Sequence, residues 1–160
     1  MVLVSGIRNG GWASTRDARG DCFDERSVWG EYAPREQCRR SDGTVSPVVL
    51  TTLVDEAAFW LGVLATGESG MTTEIRVRLH RPAPFGSRLV VSGARARVAP
   101  REDDPRYWRT ETAVHDERGR LIASGRITFV AVRGSAKRLA AGMLAMNPPG
   151  VVRRVFPAYA

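Results

Sequence analysis

The stretch that most constrains this chain is Pro47–Thr66, PVVLTTLVDEAAFWLGVLAT. It contains only two charged residues, Asp55 and Glu56, adjacent and near its middle. A helix that is apolar on nearly every side is one that the rest of a domain wraps around. Its length would also suit a bilayer span. Two central acids, followed by strongly amphipathic strands, argue instead for a core helix and no membrane. A carboxylate in such a helix is costly to bury without a partner, which makes the acidic pair the first pointer to chemistry. The ends are well marked. Ser46 is a good N-cap and Pro47 suits the first helical position, while Thr66-Gly67-Glu68-Ser69-Gly70 reads as the stop.

On either side the chain reads as strands. Before the helix, Arg26–Ala33 (RSVWGEYA) is a short strand candidate closed by Pro34. Residues 35–46 form a polar loop with a turn at Asp42-Gly43. After the helix, Thr73–Arg81 (TEIRVRLHR) alternates with period two, so Ile75, Val77 and Leu79 are expected to be buried on one face. Arg88–Val98 and Tyr107–His115 are two further strands, and Asp116–Gly119 is a hairpin turn. Leu121–Val132 is the fourth, with Gly125 marking a bulge or bend. Residues 135–146 suggest a short helix capped by Ser135, and Asn147-Pro148-Pro149-Gly150 is expected to end regular structure. This order gives an α+β domain, an antiparallel sheet curled around one long helix. The divisions are an N-terminal arm at 1–21, with Trp12 able to pin it, a body at 22–134, and a C-terminal helix and tail, mobile or docked, at 135–160.

A chain of 160 residues fits one domain with a sizeable core. The net charge of +7 favours anionic partners. It is carried by arginines spread along the chain, with Lys137 the single lysine. With no recognition motif, a nucleic-acid partner is not expected. Cys22 and Cys38 match no metal spacing, and His80 and His115 are far from them in sequence, so neither metal nor cofactor is expected. A disulfide cannot be inferred from this pair. The N-terminus lacks the basic flank and apolar core of a signal peptide, and a cytoplasmic, reducing location is the expectation.

Three segments carry a resemblance to a known family: GTVSPVVLTTLVDEA (Gly43–Ala57), TTEIRVRLHRPAPFGSRLVVSG (Thr72–Gly93) and DERGRLIASGRITF (Asp116–Phe129). Together with the element order, they resemble the hotdog-fold acyl-CoA thioesterases, in the branch related to the phenylacetate-pathway enzymes. The resemblance spans residues 28–132. It implies hydrolysis of an acyl-CoA thioester to free acid and CoA, at a site between two subunits. It therefore implies a homodimer at least, with pairing into a homotetramer left open.

The resemblance also assigns roles. Asp55, nine residues after the cap Ser46, is the catalytic carboxylate, acting as general base on water or as nucleophile. Glu56 is the second choice, pointing about 100° further round the helix and expected to pair with an arginine. Thr72, with Thr73 beside it, orients water or substrate from across the dimer. Arg40 stands where relatives often carry an amide, and is either a substrate or Asp55 partner or a solvated loop residue. Phe59 and Trp60 either shape the acyl pocket or belong to the core. Arg81, Arg97, Arg101, Arg133, Lys137 and Arg138 are candidates for the CoA phosphates. One position departs from the family. Pro47 stands where many members carry a glycine whose N–H polarises the thioester, and proline has no N–H. Losing one such donor costs about 2.7–4 kcal/mol of transition-state stabilisation. Either Val48 N–H takes over at the helix terminus, or the register differs, or the protein hydrolyses poorly. The alternative function is a non-catalytic hotdog protein that binds an acyl thioester on CoA or a carrier. A hotdog dehydratase is disfavoured because no histidine lies on or near the helix.

Overall fold

The computed structural model describes residues 12–13, 26–145 and 149–156. In chain order the elements are β1 (Trp12–Ala13), β2 (Ser27–Tyr32), α1 (Pro47–Thr66), β3 (Gly70–Leu79), β4 (Leu89–Ala94), β5 (Ala99–Pro100), β6 (Tyr107–Asp116), β7 (Leu121–Ala131), α2 (Ser135–Leu144) and α3 (Pro149–Val155). The strands form one antiparallel sheet in the order β1-β2-β4-β6-β7-β3, with β5 added on β6.

α1 is specified at both ends as its sequence implies. The Ser46 side chain accepts the Val48 N–H, and Gly67 closes the helix in a left-handed conformation at φ 71°. Only glycine adopts that cap without steric cost. The Arg95 guanidinium donates to the carbonyl of Leu64 at 2.6 Å, setting a cation against the negative end of the helix dipole. α1 packs against β2, β3, β4, β6 and β7. Five strands at about 4.8 Å spacing are wider than a helix of about 10 Å, so the sheet must curl to reach it from both sides. The result is the expected α+β hotdog architecture.

Leu50, Leu53, Val54, Ala57, Ala58 and Leu61 are buried along α1. All but Leu61, which belongs to a second cluster, form one core with Leu89, Val91, Val114, Ile122, Ala123 and Ile127 from the strands. The closest approach is at Gly125, where a Cβ would lie 2.0 Å from Cγ1 of Val54. Gly125 is therefore a contact glycine and not the bulge its position in a strand implies. The ladder irregularities fall instead between Thr72 and Glu74 and between Val114 and His115.

Three other readings are corrected. The strand expected over Arg88–Val98 leaves the sheet at Ala94, turns through Arg95–Arg97 and rejoins β6 as β5. Ser135 does not cap α2. The cap is Gly134, and the Ser135 hydroxyl sits near the carbonyls of Ser69 at 3.1 Å and Val132 at 2.5 Å. Regular structure also does not end at Asn147-Pro148-Pro149-Gly150, because α3 follows. Its Val152, with Phe156 just beyond, is buried against Val28, Trp60, Leu61, Val63, Ala136, Ala140 and Met143.

Of residues 1–21, Trp12 and Ala13 are described, and their backbone pairs with Tyr32 and Glu31. The remainder of that arm, Cys22, and residues 157–160 of the tail lie outside the described residues. Cys38 is half-buried, with its Sγ 3.1 Å from the Tyr32 hydroxyl.

β3 departs most from expectation. Ile75, Val77 and Leu79 do share one face, but Ile75 is 41% and Leu79 49% exposed. β3 is the sheet edge, paired only with β7, and this chain leaves the inward face of that edge open.

Candidate active site

Asp55 and Thr72 meet inside one chain. The Thr72 hydroxyl donates to Asp55 Oδ1 at 2.9 Å, and both residues are half-buried. The bond is made within one chain, whereas the resemblance implies a role for Thr72 towards the partner subunit. The β3 irregularity explains the geometry. Thr72 pairs with Phe129 and Glu74 with Thr128, so Thr73 is one extra residue in the strand. Strict alternation back from Ile75 would put Thr73 on the helix side and Thr72 outside. The bulge reverses that parity and turns Thr72 towards α1, a known use of bulges beside functional sites. The Thr73 hydroxyl instead donates to the Thr128 carbonyl at 3.1 Å.

Glu56 takes a different partner from the expected arginine. Its Oε1 accepts the indole N–H of Trp60 at 2.8 Å, one helical turn on. Burial pushes the Glu56 carboxyl above its ordinary range. The Trp60 N–H opposes this and the Asp55 charge adds to it. The two acids thus have separate environments, Asp55 held by a hydroxyl and Glu56 sequestered under an indole. Glu56 and Trp60 stand at i and i+4, a spacing that brings side chains together on one helix face, so the pair is visible in the sequence.

At the N-terminus of α1 the amides are largely used. Val48 N–H reaches Ser46 Oγ at 3.3 Å, and Val49 and Leu50 N–H both reach the Ser46 carbonyl, at 3.0 and 3.4 Å. The Val48 bond is long for an N–H···O contact. The Val48 side chain is 72% exposed, so this terminus faces solvent. Ser46 acts here as the cap of α1.

The other candidates are dispersed. Arg40 pairs with Asp42 at 3.4 Å in its own loop, not with Asp55. Phe59 packs edge-on against Trp60, ring centres 5.2 Å apart, beside the cluster formed with α2 and α3. Arg97 pairs with Glu111 at 3.5 Å, and Arg101 pairs with Asp103.

Two surface depressions lie away from Asp55. One, of about 780 Å³, is on the outer face of the sheet and lined by Arg76, Arg78, Arg97, Arg126, Ser92 and Ser124 among others. The other, of about 570 Å³, adjoins Thr73, Glu74, Arg101 and Tyr107. Neither includes Asp55 or Thr72. An acid at a half-buried position, hydrogen-bonded by a hydroxyl and lying beside an open strand edge, can activate water or attack a carbonyl. It has no enclosed chamber of its own among these two.

No protein-family model and no curated protein matches the sequence. Solved structures do match the fold. A hypothetical thioesterase from Streptococcus pneumoniae, solved with coenzyme A, aligns with a TM-score of 0.62 at 13% identity, over 76% of this chain and 86% of its own. That protein has also been solved with an aspartate, and separately a threonine, replaced by alanine. The smu.793 protein of Streptococcus mutans, bound to acetyl CoA, aligns at 0.60 and 14% identity over 69% of this chain and 84% of its own. The Escherichia coli PaaI protein, from the phenylacetic acid degradation operon, aligns at 0.58 and 14% identity over 68% and 74%. At these identities the likeness is one of architecture, and the chain is a hotdog-fold protein built like the thioesterase-superfamily structures.

Proposed function

We propose that this protein is an acyl-CoA thioesterase working as a homodimer, with Asp55 as its catalytic carboxylate and Thr72 as the residue that orients it. The observation that carries the reading is the 2.9 Å bond from the Thr72 hydroxyl to Asp55, made by a strand bulge that serves no pairing purpose. An aspartate and a threonine are also the residues replaced in the solved variants of the pneumococcal protein.

In the general-base route, Asp55 takes a proton from water as the water oxygen bonds to the thioester carbonyl carbon. The tetrahedral intermediate then collapses, the C–S bond breaks, and the proton passes to the leaving sulfur to give free acid and thiol. In the nucleophilic route, an Asp55 oxygen bonds to the carbonyl carbon, the C–S bond breaks and the leaving thiolate takes a proton from solvent. Water then hydrolyses the resulting anhydride to free acid and the regenerated Asp55 carboxylate. Both need the carboxylate held in place, which the Thr72 bond does.

The open edge supports the dimer. Met71 is 64% exposed on the same strand as Ile75 and Leu79, and an unpaired strand edge with apolar side chains is a liability that association removes. A second chain there would also supply the missing wall beside Asp55. Thr73, Val48, Phe59 and Arg40 keep lesser roles at most, as substrate contacts supplied on assembly. We place the protein in the cytoplasm.

One observation favours a second reading, a non-catalytic protein that binds acyl thioesters. Pro47 offers no N–H, and Val48 N–H is already engaged by Ser46 Oγ. A substrate oxygen must win that amide from the hydroxyl, and the 3.3 Å length of the bond makes this a modest cost.

The deciding experiment is free-thiol release from short, long and aromatic acyl-CoAs by the native protein and by Asp55→Asn, with folding checked by circular dichroism. Turnover abolished in a folded Asp55→Asn protein is the expected result. Activity that survives it removes Asp55 from the mechanism and leaves Glu56. Binding without turnover in the native protein selects the second reading.

A further inference from the structure

We infer that the ring of Phe129 is the floor of the acyl site and restricts the substrate to short acyl groups, an inference that rests on the thioesterase reading above. Phe129 is directly paired with Thr72, the residue that holds Asp55. Its side chain is inward and only 2% exposed. Two glycines on different elements make room for it. A Cβ on Gly62 would lie 2.4 Å from both Cε1 and Cζ of the ring, and a Cβ on Gly70 would lie 2.8 Å from Cδ2.

The placement of these glycines decides what the ring obstructs. Gly62 is seven residues past Asp55, which on an α-helix is the same face and about 10.5 Å further along. Gly70 lies two residues before Thr72 on the same face of β3. The space running from the Asp55–Thr72 pair towards the C-terminal end of α1, between that helix and β3, is therefore filled by one aromatic ring. In the opposite direction the site is open at the N-terminus of α1, where Val48 is 72% exposed. A thioester carbonyl at Asp55 thus has a blocked side for the acyl group and an open side for the bulky carrier.

The test compares thiol release from acetyl-, butanoyl-, hexanoyl- and octanoyl-CoA by the native protein, Phe129→Ala and Phe129→Leu. The native protein should fall in kcat/KM beyond butanoyl. Both variants should raise the octanoyl-to-butanoyl ratio by about tenfold or more, because each methylene placed in an apolar pocket is worth about tenfold or more in discrimination. Phe129→Leu keeps the core apolar and preserves the test if the alanine variant does not fold. Two results overturn the inference while sparing the thioesterase reading. One is native activity on octanoyl-CoA equal to that on butanoyl-CoA, as expected if the chain lies over Ile75 and Leu79. The other is a parallel loss at all four lengths in the variants, as expected of a residue that only packs. No thiol release from any of the four, nor from the longer and aromatic acyl-CoAs above, overturns the thioesterase reading. Calorimetric binding of the same series then decides the floor: affinity that drops at hexanoyl and recovers in Phe129→Leu upholds it, and a flat profile overturns it.

Discussion

Ile75 and Ile127 sit opposite one another on neighbouring strands, are the same residue type, and point to the same face of the sheet. Ile127, on β7, is 1% exposed and Ile75, on β3, is 41% exposed. The strands differ in what covers them. β7 is flanked by β6 and β3 and lies under α1, whereas β3 has a neighbour on one side only. Period-two alternation identifies a face that differs from its opposite, but it does not say whether the cover comes from the same chain. β7 is covered within the chain, and Ile75 and Leu79 on β3 are not.

This contrast can be broken most forcefully at the core. Ile127→Ala should lower the unfolding free energy by about 2–5 kcal/mol in urea titration. In a monomeric chain at high dilution, Ile75→Ala should change it by less than about 1 kcal/mol. Equal losses would mean that β3 is as fully covered as β7 and would end the comparison. Next comes Ile75→Asp, which sets a carboxylate into the proposed interface. Light scattering should show the dimer mass fall to that of the monomer, while the circular dichroism of the fold persists. A dimer that survives this change places the contact elsewhere.

Thr72→Ala probes the β3 side chain that reaches Asp55. A hydrogen bond to a carboxylate contributes up to about 1.5–3 kcal/mol to stability, so urea titration should show a loss no larger than that, while turnover falls about tenfold or more as Asp55 loses its fixed position. The smallest effect is expected on the helix that both strands share. Burial raises the Glu56 carboxyl above its ordinary value of 4.5. The folded state therefore binds that proton more tightly than the unfolded chain does. The contribution of Glu56 is fully present below the ordinary value and is lost as pH rises through the raised one. Glu56→Gln keeps an acceptor for Trp60 and removes this dependence. It should be more stable than the native protein at neutral pH, with the advantage shrinking below about pH 4.5 in denaturation curves.

The central helix was legible because three local signals coincide at its ends, the Ser46 cap, Pro47 and the left-handed Gly67. The β6–β7 hairpin was legible for a similar reason, with Gly119 in the turn at φ 74° and the Asp116 carboxylate gathering the Arg118 and Arg120 amides. What escaped depends on contacts remote in sequence. Nothing near Gly125 reveals that Val54 presses on it. Nothing in residues 147–156 announces that Phe156 closes a core begun at Val28, since a Pro-Pro-Gly stretch normally ends regular structure. The site was half legible. Asp55 stands out as an acid in an apolar helix, but the choice between Thr72 and Thr73 turns on a single inserted residue in β3. A bulge leaves no compositional trace when its residue is threonine, at home in any strand.

The docking of α3 has a consequence for how the protein is made. Val28 is among the first core residues to emerge during synthesis, and Val152 and Phe156 are among the last. The outward side of α1, with Trp60 and Val63, stays bare through most of translation. Contacts of such long sequence separation form late and slowly. Until α3 is made, the side of α1 that carries Trp60 and Val63 therefore lacks part of its cover, and a chain cut before Val152 should be a substrate for chaperones and proteases even with Asp55 and Thr72 in place.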